Sequence, residues 1–478
     1  MSRYFVLLTC LVLFGFISRS YRTTPNADGS RRPPDNSPAK NYASYCSGCH
    51  GEKMNAFVDR KWKWGNSNGD LFKTIKFGYP NNGMPGFQKA FTDKQITDLV
   101  NYIQKGLQDL KQYEFVQPVK SNIFRTSSIT VRLDTVVKGI QVPWSIAFLP
   151  NQELLVTERG GSIYRVSKDK KLHAVKGVPT VVAEGQGGMM DLALHPDFPQ
   201  NHWIYFSYSL GRQTDSGLLT TTAIARAKLE NDSLQNLENI FIALPFSRTR
   251  HHYGGRLLFD KQHYLYFSVG ERGNEKQNPQ TLQNDLGKIH RIKDDGTVPD
   301  DNPFVHTEGA KPSIYSMGHR NPQGMVLNPF TGALWEHEHG PRGGDEINLM
   351  GKGKIYGWPL ICYGINYDGT VLTPKTSMPG LEQPLLYWIP SIAPSGMAFV
   401  TGNRYKAWRG NLLVGALRYK YLDLCYIQGT KIIRQEKLFK NIGRVRDVRM
   451  APDGYIYISV ENPGFVFRIT PLTSRSGK

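Results

Sequence analysis

The chain has 478 residues, 40% of them hydrophobic, with 47 glycines, 29 prolines and a formal net charge of +19. This length allows two or more domains with a large core, and the glycine and proline content argues against a helical bundle. No basic block or run of interleaved basic and aromatic residues stands out, so we expect no nucleic acid partner. A basic surface that aids solubility or attracts an acidic partner accounts for the charge.

Residues 1–20 have the features of a signal peptide. Arg3 gives a positive start, residues 5–17 form an apolar core that is short for a bilayer span, and residues 18–20 include two serines suited to cleavage. An uncleaved membrane anchor is the alternative. Residues 21–37 are rich in Pro, Asn, Arg and Ser, which predicts a flexible leader. We therefore expect a periplasmic or otherwise extracytoplasmic protein.

Residues 46–50 read Cys-Ser-Gly-Cys-His, the CxxCH signature of covalent haem attachment. The thiols of Cys46 and Cys49 can bond the two vinyl groups of one porphyrin, and His50 is placed to bind the iron on one face. Met84, in a loop rich in Gly and Pro, is the predicted iron ligand on the other face. The sequence therefore predicts haem c and a one-electron relay.

Two predicted helices flank this motif within a domain of residues 38–110. The first covers residues 39–45 and runs into CxxCH, and the last follows a capping box of Thr92 and Gln95. Along the last helix, apolar residues recur at helical spacing, namely Ile96, Leu99, Val100, Ile103 and Leu107. This is the layout of a small all-α class I cytochrome c domain, and residues 111–128 are predicted to be a linker.

From residue 129 to residue 472, short β-rich runs replace the helices, separated by Gly, Pro, Asp and Asn turns. A sequence pattern made of an apolar pair, a turn and an alternating strand occurs six times. The six strands are 153–157, 203–207, 264–268, 333–335, 412–416 and 455–459. Repeats of one hairpin-rich unit predict an all-β, six-bladed β-propeller with four-stranded blades, and a β-sandwich or β-helix is the alternative.

Five polar, glycine-rich segments lie just before or after predicted strands, where propellers build sites at the mouth of the central channel. Glycine there lets the backbone approach a ligand closely. The segments are 184–188, 251–256, 318–324, 338–349 and 444–447. Together they offer bases, fixed cations and the backbone oxygens that a hard metal ion requires.

Ordered motifs extend over nearly the whole second domain. They are Pro143-Trp144, Thr157–Arg159, Gly185–Gly188, His252 with Gly255-Arg256, Gly318–Gly324, His339–Pro341, Asp345–Leu349, Tyr356–Pro359, Pro390–Gly396, Gly415–Arg418 and Arg444–Val448. On these motifs, residues 142–471 resemble the quinoprotein sugar dehydrogenases, the soluble family that uses pyrroloquinoline quinone (PQQ), and within it the aldose sugar dehydrogenases. The haem domain is an addition that the single-domain members lack.

The resemblance implies that the site holds PQQ and Ca2+. Arg418, Arg444 and Arg446 match the family's ligands of the PQQ carboxylates, whose buried charge needs cations. Arg320 and Asn321 match the residues beside the reactive quinone oxygens.

Two calcium sites are also implied by the resemblance. The backbone carbonyls of Gly340 and Pro341 match the protein ligands of the active-site calcium. Asp345 and the carbonyls of Glu346 and Tyr356 match part of a second, structural site.

The resemblance implies the chemistry as well. His252 matches the catalytic base, which takes the proton of an aldose's anomeric hydroxyl while hydride leaves the same carbon for the quinone, giving a lactone. Calcium and Arg320 stabilise the charge on the quinone oxygen, and Gln186 matches a sugar contact. The glucose-oxidising branch has an acid, a Gln and two aromatic residues at four positions that here are His251, Arg272, Leu386 and Ile389. We therefore do not expect glucose to be the main substrate.

The sequence thus predicts an oxidoreductase that oxidises an aldose or related alcohol and passes electrons through the haem to a soluble cytochrome or the respiratory chain. A propeller lactonase is one alternative, and it requires carboxylate and Asn side chains around a channel calcium. A non-catalytic, haem-tethered binding propeller is the other. The arginine set argues against the first, and the presence of His252 argues against the second.

Overall fold

The computed structural model describes residues 37–50, 62–108, 121–273 and 277–472, without the side chains of residues 48 and 49. The predicted signal peptide, most of the leader and most of the linker lie outside these residues. Within the described ranges, no helix is long and apolar enough to span a membrane.

The described part of the second domain forms six antiparallel sheets that are the blades of a β-propeller, as predicted. In chain order the strands are β1 (Ile123–Arg125), β2 (Thr130–Val137), β3 (Pro143–Phe148), β4 (Leu154–Glu158), β5 (Ser162–Val166), β6 (Leu172–Ala174), β7 (Met189–Leu194), β8 (Trp203–Thr214), β9 (Gly217–Glu230), β10 (Ser233–Ile242), β11 (Leu257–Phe259), β12 (Leu265–Val269), β13 (Lys288–Ile292), β14 (Ile314–Met317), β15 (Pro322–Leu327), β16 (Leu334–Glu338), β17 (Asp345–Leu349), β18 (Leu386–Trp388), β19 (Pro394–Phe399), β20 (Leu412–Ala416), β21 (Tyr421–Gln428), β22 (Lys431–Leu438), β23 (Arg444–Met450), β24 (Ile456–Glu461) and β25 (Phe465–Leu472). In five blades the four strands follow one another along the chain.

The sixth blade joins the two ends of the domain. β23, β24 and β25 come from the C-terminal end, and β2 pairs with β25 along most of its length. β1 pairs with β2 and adds a fifth strand at the edge. Part of the predicted linker, residues 111–128, is therefore a strand, and the prediction was wrong there. Three residues are too short to carry a readable alternation.

Each strand predicted from the repeated sequence pattern is the second strand of its blade, namely β4, β8, β12, β16, β20 or β24. These strands carry strong apolar signals because neighbouring blades cover both of their faces, so that β12, β16 and β20 are buried along their whole length. The first strands contact one another around the central channel, and five of the six contain a β-bulge against the second strand. A bulge re-aims side chains and commonly lies next to a site.

A network of ion pairs ties these first strands together across the channel. Arg256 lies 2.9 Å from Asp447, and Arg449 contacts both Asp447, at 2.8 Å, and Asp191. Asp191 and Asp447 are almost completely buried. Two guanidinium groups thus face two carboxylates, and this balance is what makes such burial tolerable.

The helices of the first domain surround a separate hydrophobic core. The described helices of the chain are α1 (Pro38–Asn41), a π-helix (Tyr42–Cys46), α2 (Ser47–His50), α3 (Asn68–Phe77), α4 (Asp93–Gly106), α5 (Phe198–Asn201) and three 3-10 turns (Pro80–Asn82, Asn278–Gln280 and Lys406–Trp408). α4 begins at the predicted capping box, and the first predicted helix continues unbroken through His50. α3, which a Ser67–Asp70 capping box starts, was not predicted.

Asp423 provides a test of the propeller's stability. It is fully buried on β21 opposite Lys437, and burial raises its pKa to about 7 from 3.8. Because the folded pKa of this carboxyl lies above its unfolded pKa, the protein loses stability as the pH rises from the unfolded pKa through the folded pKa, here by up to about 4 kcal/mol. We expect Asp423→Asn to raise the thermal midpoint, and to raise it more at pH 8 than at pH 5. The exposed Asp215→Asn is the control, and an equal gain at both pH values would contradict the assignment.

Candidate active site

The predicted site residues lie in loops at one end of the propeller. Antiparallel pairing puts the start of each first strand and the end of each second strand at the same end. Gln186 precedes β7, His252 precedes β11, Arg320 and Asn321 precede β15, Gly340 and Pro341 follow β16, Arg418 follows β20, and Arg444 and Arg446 begin β23. The fold therefore brings together residues that span most of the domain.

His252 is held on both sides. Its Nδ1 lies 2.8 Å from the Oε1 atom of the fully buried Glu271, and its backbone N–H donates to the Oε1 atom of Gln186 at 2.8 Å. The second carboxylate oxygen of Glu271 accepts a bond from the N–H of Gly273. With Nδ1 engaged by the carboxylate, Nε2 is the ring nitrogen left to accept a proton from a substrate.

The electrostatic surroundings keep His252 unprotonated. Burial lowers its pKa well below 6.5, and the charges of Arg320, His339 and Arg272 lower it further. A general base must be in this form to act. The pKa of His339 is also lowered, to about 3, by burial and by the charges of three arginines, Arg320, Arg446 and Arg444. A hydrogen bond to a backbone carbonyl opposes this shift only in part. His339 thus lies within the fields of both the base and the arginines at the start of β23.

Arg320 and Asn321 are fixed by their backbones, because both N–H groups donate to the carboxylate of Glu338. The Arg320 guanidinium donates from Nη1 to the carbonyl of Gly340 at 2.7 Å. Its buried Nε has no hydrogen-bond partner among the described residues, so one donor remains for a ligand. Asn321 Oδ1 accepts the N–H of Gly254, two residues beyond His252, at 3.0 Å.

Arg444 and Arg446 share one carboxylate. Their Nε atoms donate to the two oxygens of Glu461 at 2.9 and 2.6 Å. Burial opposes ionisation of Glu461, yet the two guanidinium groups lower its pKa to about 2. Arg444 also reaches the carbonyl of Leu417, which is next to Arg418. Two cations against one anion leave positive charge to bind an anionic ligand.

The carbonyls of Gly340 and Pro341 lie in a loop that Asp345 fastens. One oxygen of Asp345 accepts the N–H of Gly340 at 2.9 Å, and the other accepts a second backbone N–H at 2.8 Å. The carbonyl of Gly340 faces the Arg320 guanidinium, while that of Pro341 accepts a hydroxyl at 3.3 Å. The carbonyl of Gly340 is therefore already paired with a guanidinium, and the calcium site at these two carbonyls stays a prediction.

The residues of the second predicted calcium site are placed differently. Asp345 and Glu346 are neighbours on β17, but the Asp345 carboxylate is bonded within the first loop. Tyr356 stacks on His319 with ring centroids 4.7 Å apart, and its hydroxyl donates to the carbonyl of Leu349. The second site remains a prediction.

The predicted haem ligands lie in the helical domain. Cys46 is buried in its core, Met84 packs against that core, and the side chain of Cys49 lies outside the described residues. Burial lowers the pKa of His50 to about 4. A neutral imidazole and a thioether beside one core fit the ligand set of a c-type haem.

Residues 140–468 match the family model described as Glucose / Sorbosone dehydrogenase. The chain belongs to this family. Residues 33–103 match the family model Cytochrome C oxidase, cbb3-type, subunit III. The glucose/sorbosone dehydrogenase family thus accounts for the propeller and a cytochrome c family for the helices, as the sequence predicted.

Named relatives support the same assignment. The chain is 41% identical over 351 residues to the aldose sugar dehydrogenase YliI of Escherichia coli, covering 72% of this chain and 93% of that protein. It is 28% identical over 414 residues to the quinoprotein glucose dehydrogenase B of Acinetobacter calcoaceticus, covering 69% and 85%. The PQQ-bound structure of the aldose sugar dehydrogenase of Streptomyces coelicolor superimposes with a TM-score of 0.60 at 26% identity, covering 73% of this chain and all of that one.

Two carboxylates that organise the site were not predicted from the sequence. Glu271 lies in the tetrad Gly270-Glu271-Arg272-Gly273 that directly follows β12, and Glu461 ends β24. A charged pair between two glycines after a buried strand was a usable signal for Glu271. Glu461 had none, because only strand pairing places it opposite Arg444.

Arg272, a position where the resemblance implies a Gln in the glucose-oxidising branch, supports the loop that carries the base. It is fully buried, its guanidinium lies 3.5 Å from the ring centroid of Tyr253, and it donates to the carbonyl of Thr249 at 2.7 Å. Leu386 and Ile389 are the two aliphatic residues at positions where the resemblance implies aromatic ones. Ile389 is largely exposed and Leu386 is half-buried.

Glu271 can be tested as a positioning residue for His252. We expect Glu271→Gln to lower kcat about tenfold to a hundredfold with a smaller change in KM, because the amide holds the imidazole without a charge. Wild-type turnover should stay flat through pH 6.5 and fall only at more acidic pH, since the base acts above its lowered pKa. Glu271→Gln should shift the acidic limb of this pH profile, whereas Glu271→Asp, which keeps a carboxylate, should largely restore the wild-type profile. A variant that folds less well but keeps the wild-type pH profile would assign Glu271 a structural role only.

Proposed function

We propose that this protein is an extracytoplasmic quinohaemoprotein dehydrogenase that oxidises an aldose, or a related alcohol, to its lactone with PQQ and Ca2+. Electrons then pass to the covalently attached haem c and on to a soluble cytochrome or a respiratory chain. The observation that carries this proposal is a neutral, carboxylate-oriented His252 at the same end of the propeller as Arg444 and Arg446, which share a single carboxylate among the described residues.

The chain's own residues suit the binding of PQQ. Arg418, Arg444 and Arg446 would hold its carboxylates, and Arg320 would donate to a quinone oxygen through the Nε that has no partner among the described residues. Calcium would bind the carbonyls of Gly340 and Pro341. When bound, PQQ accepts the electron pair of sugar oxidation as a hydride and calcium polarises the accepting oxygen.

The protein's part in the reaction is to accept one proton and to orient the sugar. His252 Nε2 takes the proton of the anomeric hydroxyl, while the hydrogen on the same carbon leaves with its electron pair, so a C=O bond forms and the sugar becomes a lactone. Glu271 stabilises the imidazolium that results. Gln186, bonded to the backbone of His252, holds the rim of the sugar site.

The hydrolase alternative is disfavoured by the channel network. A lactonase would need carboxylates free to bind a metal ion in the channel, but Asp191 and Asp447 are already paired with Arg256 and Arg449. The binding-only alternative is disfavoured by Glu271, since a precisely oriented base has no use in a protein that only binds.

Replacing the base tests the chemical step. We expect His252→Gln to slow sugar-dependent reduction of PQQ at least about a hundredfold, the low end for loss of a general base. PQQ binding, followed by its absorbance, should stay near the wild-type affinity. A variant with wild-type turnover would refute the role of His252.

Stopped-flow spectroscopy of the haem tests the electron route. We expect an aldose to reduce the haem only when the protein has been loaded with PQQ and Ca2+, with a lag that follows sugar oxidation. Protein treated with a chelator is the matched control. Equal rates of haem reduction without PQQ would defeat the proposal.

A further inference from the structure

The loop that ends in Met84 touches the propeller beside the base. The 3-10 turn Pro80–Asn82 leads into it, and the carbonyl of Asn81 accepts the N–H of Arg250 at 2.7 Å. A Cβ built on Gly83 would lie 3.5 Å from Nδ1 and 3.7 Å from Cβ of His251. A side chain at Gly83 would thus be in van der Waals contact with His251, which precedes His252, and the backbone of the same loop is hydrogen-bonded to Arg250.

The second segment that carries a haem ligand touches the same rim. Tyr45, in the π-helix that leads into the CxxCH motif, lies under the guanidinium of Arg342, 4.1 Å from its ring centroid. Its hydroxyl approaches Gly369. Lys63 lies 3.9 Å from Glu184, at the edge of the Gln186 loop. Both segments predicted to carry axial ligands therefore face the end of the propeller where the site is built.

His251 connects this contact to the base. Its ring packs edge-on against that of His252 with centroids 4.6 Å apart, and it is buried between Gly83 and Gly273. A side chain at Gly273 would overlap the His251 ring, so only glycine fits there. The line of contacts runs from the Met84 loop through two imidazoles to Glu271.

We propose that Glu184, Arg250, His251 and Arg342 form the docking surface for the cytochrome domain of the same chain, and that His251 is the positioning residue that sets the Met84 loop against the sugar-oxidising site. The docking itself does not depend on the proposed function. Only its purpose rests on that function, namely to let electrons leave the site at this rim of the propeller. A neutral imidazole can be covered by this loop at a lower cost than a charged group.

A disulfide tests the docking directly. The 3.7 Å between the Cβ positions of residues 83 and 251 falls within the roughly 3.5–4.5 Å that a disulfide requires. We expect Gly83→Cys/His251→Cys in the haem-loaded full chain to form this bond under mild oxidation, as read by mass spectrometry of unreduced peptides. Gly83→Cys/Lys261→Cys is the control, since Lys261 is exposed in the turn between β11 and β12 at the opposite end. No bond in the first pair, or equal bonding in both, would overturn the proposal.

A milder variant measures what the docking does. We expect Arg342→Ala, which removes the contact with Tyr45, to slow haem reduction by sugar about threefold to tenfold. Sugar oxidation measured with an artificial dye should be unchanged. Arg404→Ala is matched, because Arg404 stacks on Tyr455 at 3.8 Å within the propeller, and it should affect neither rate. An unchanged haem rate in Arg342→Ala would count against a role of docking in transfer. If sugar fails to reduce the wild-type haem at all, the proposed function falls while the disulfide result still decides the docking.

Discussion

Charge balance differs between two layers of the propeller channel, and the site depends on that difference. In one layer Arg256 and Arg449 face Asp191 and Asp447, so the buried charges cancel and the first strands are locked together. At the start of β23, two arginines share Glu461 alone among their described acidic contacts. Like charges held this close are costly unless a ligand completes the pairing, which is why we propose that this layer binds an anion.

Burial, assisted by the charge of Arg320, sets the protonation state of the base. The field of Arg320 acts on both His252 and His339, and together with burial it keeps both imidazoles neutral. Glu271 then fixes which nitrogen of His252 is free. The arginines thus have two separate effects among the described residues: Arg444 and Arg446 leave positive charge beside Glu461, and Arg320 helps burial to keep His252 and His339 neutral.

How much the sequence revealed depended on how local each signal was. The second strands of all six blades were predicted, because burial between neighbouring blades favours apolar residues in them and a turn precedes each. The first strands were not, because bulges and polar residues at the channel interrupt their alternation. The cofactor residues came from resemblance, whereas Glu461 and the His251 contact depend on pairings between distant segments that no local pattern records.

The added cytochrome changes what the rim of the propeller must do. Position 251, next to the base, lies on this rim. Here the loop of Asn81 and Gly83 covers that position, and an uncharged ring that packs against glycine on both sides is what the space allows. Arg272, buried beneath on Tyr253, stiffens the loop from behind. His251 and Arg272 thus hold the loop of the base from two sides, His251 against the cytochrome loop and Arg272 against Tyr253.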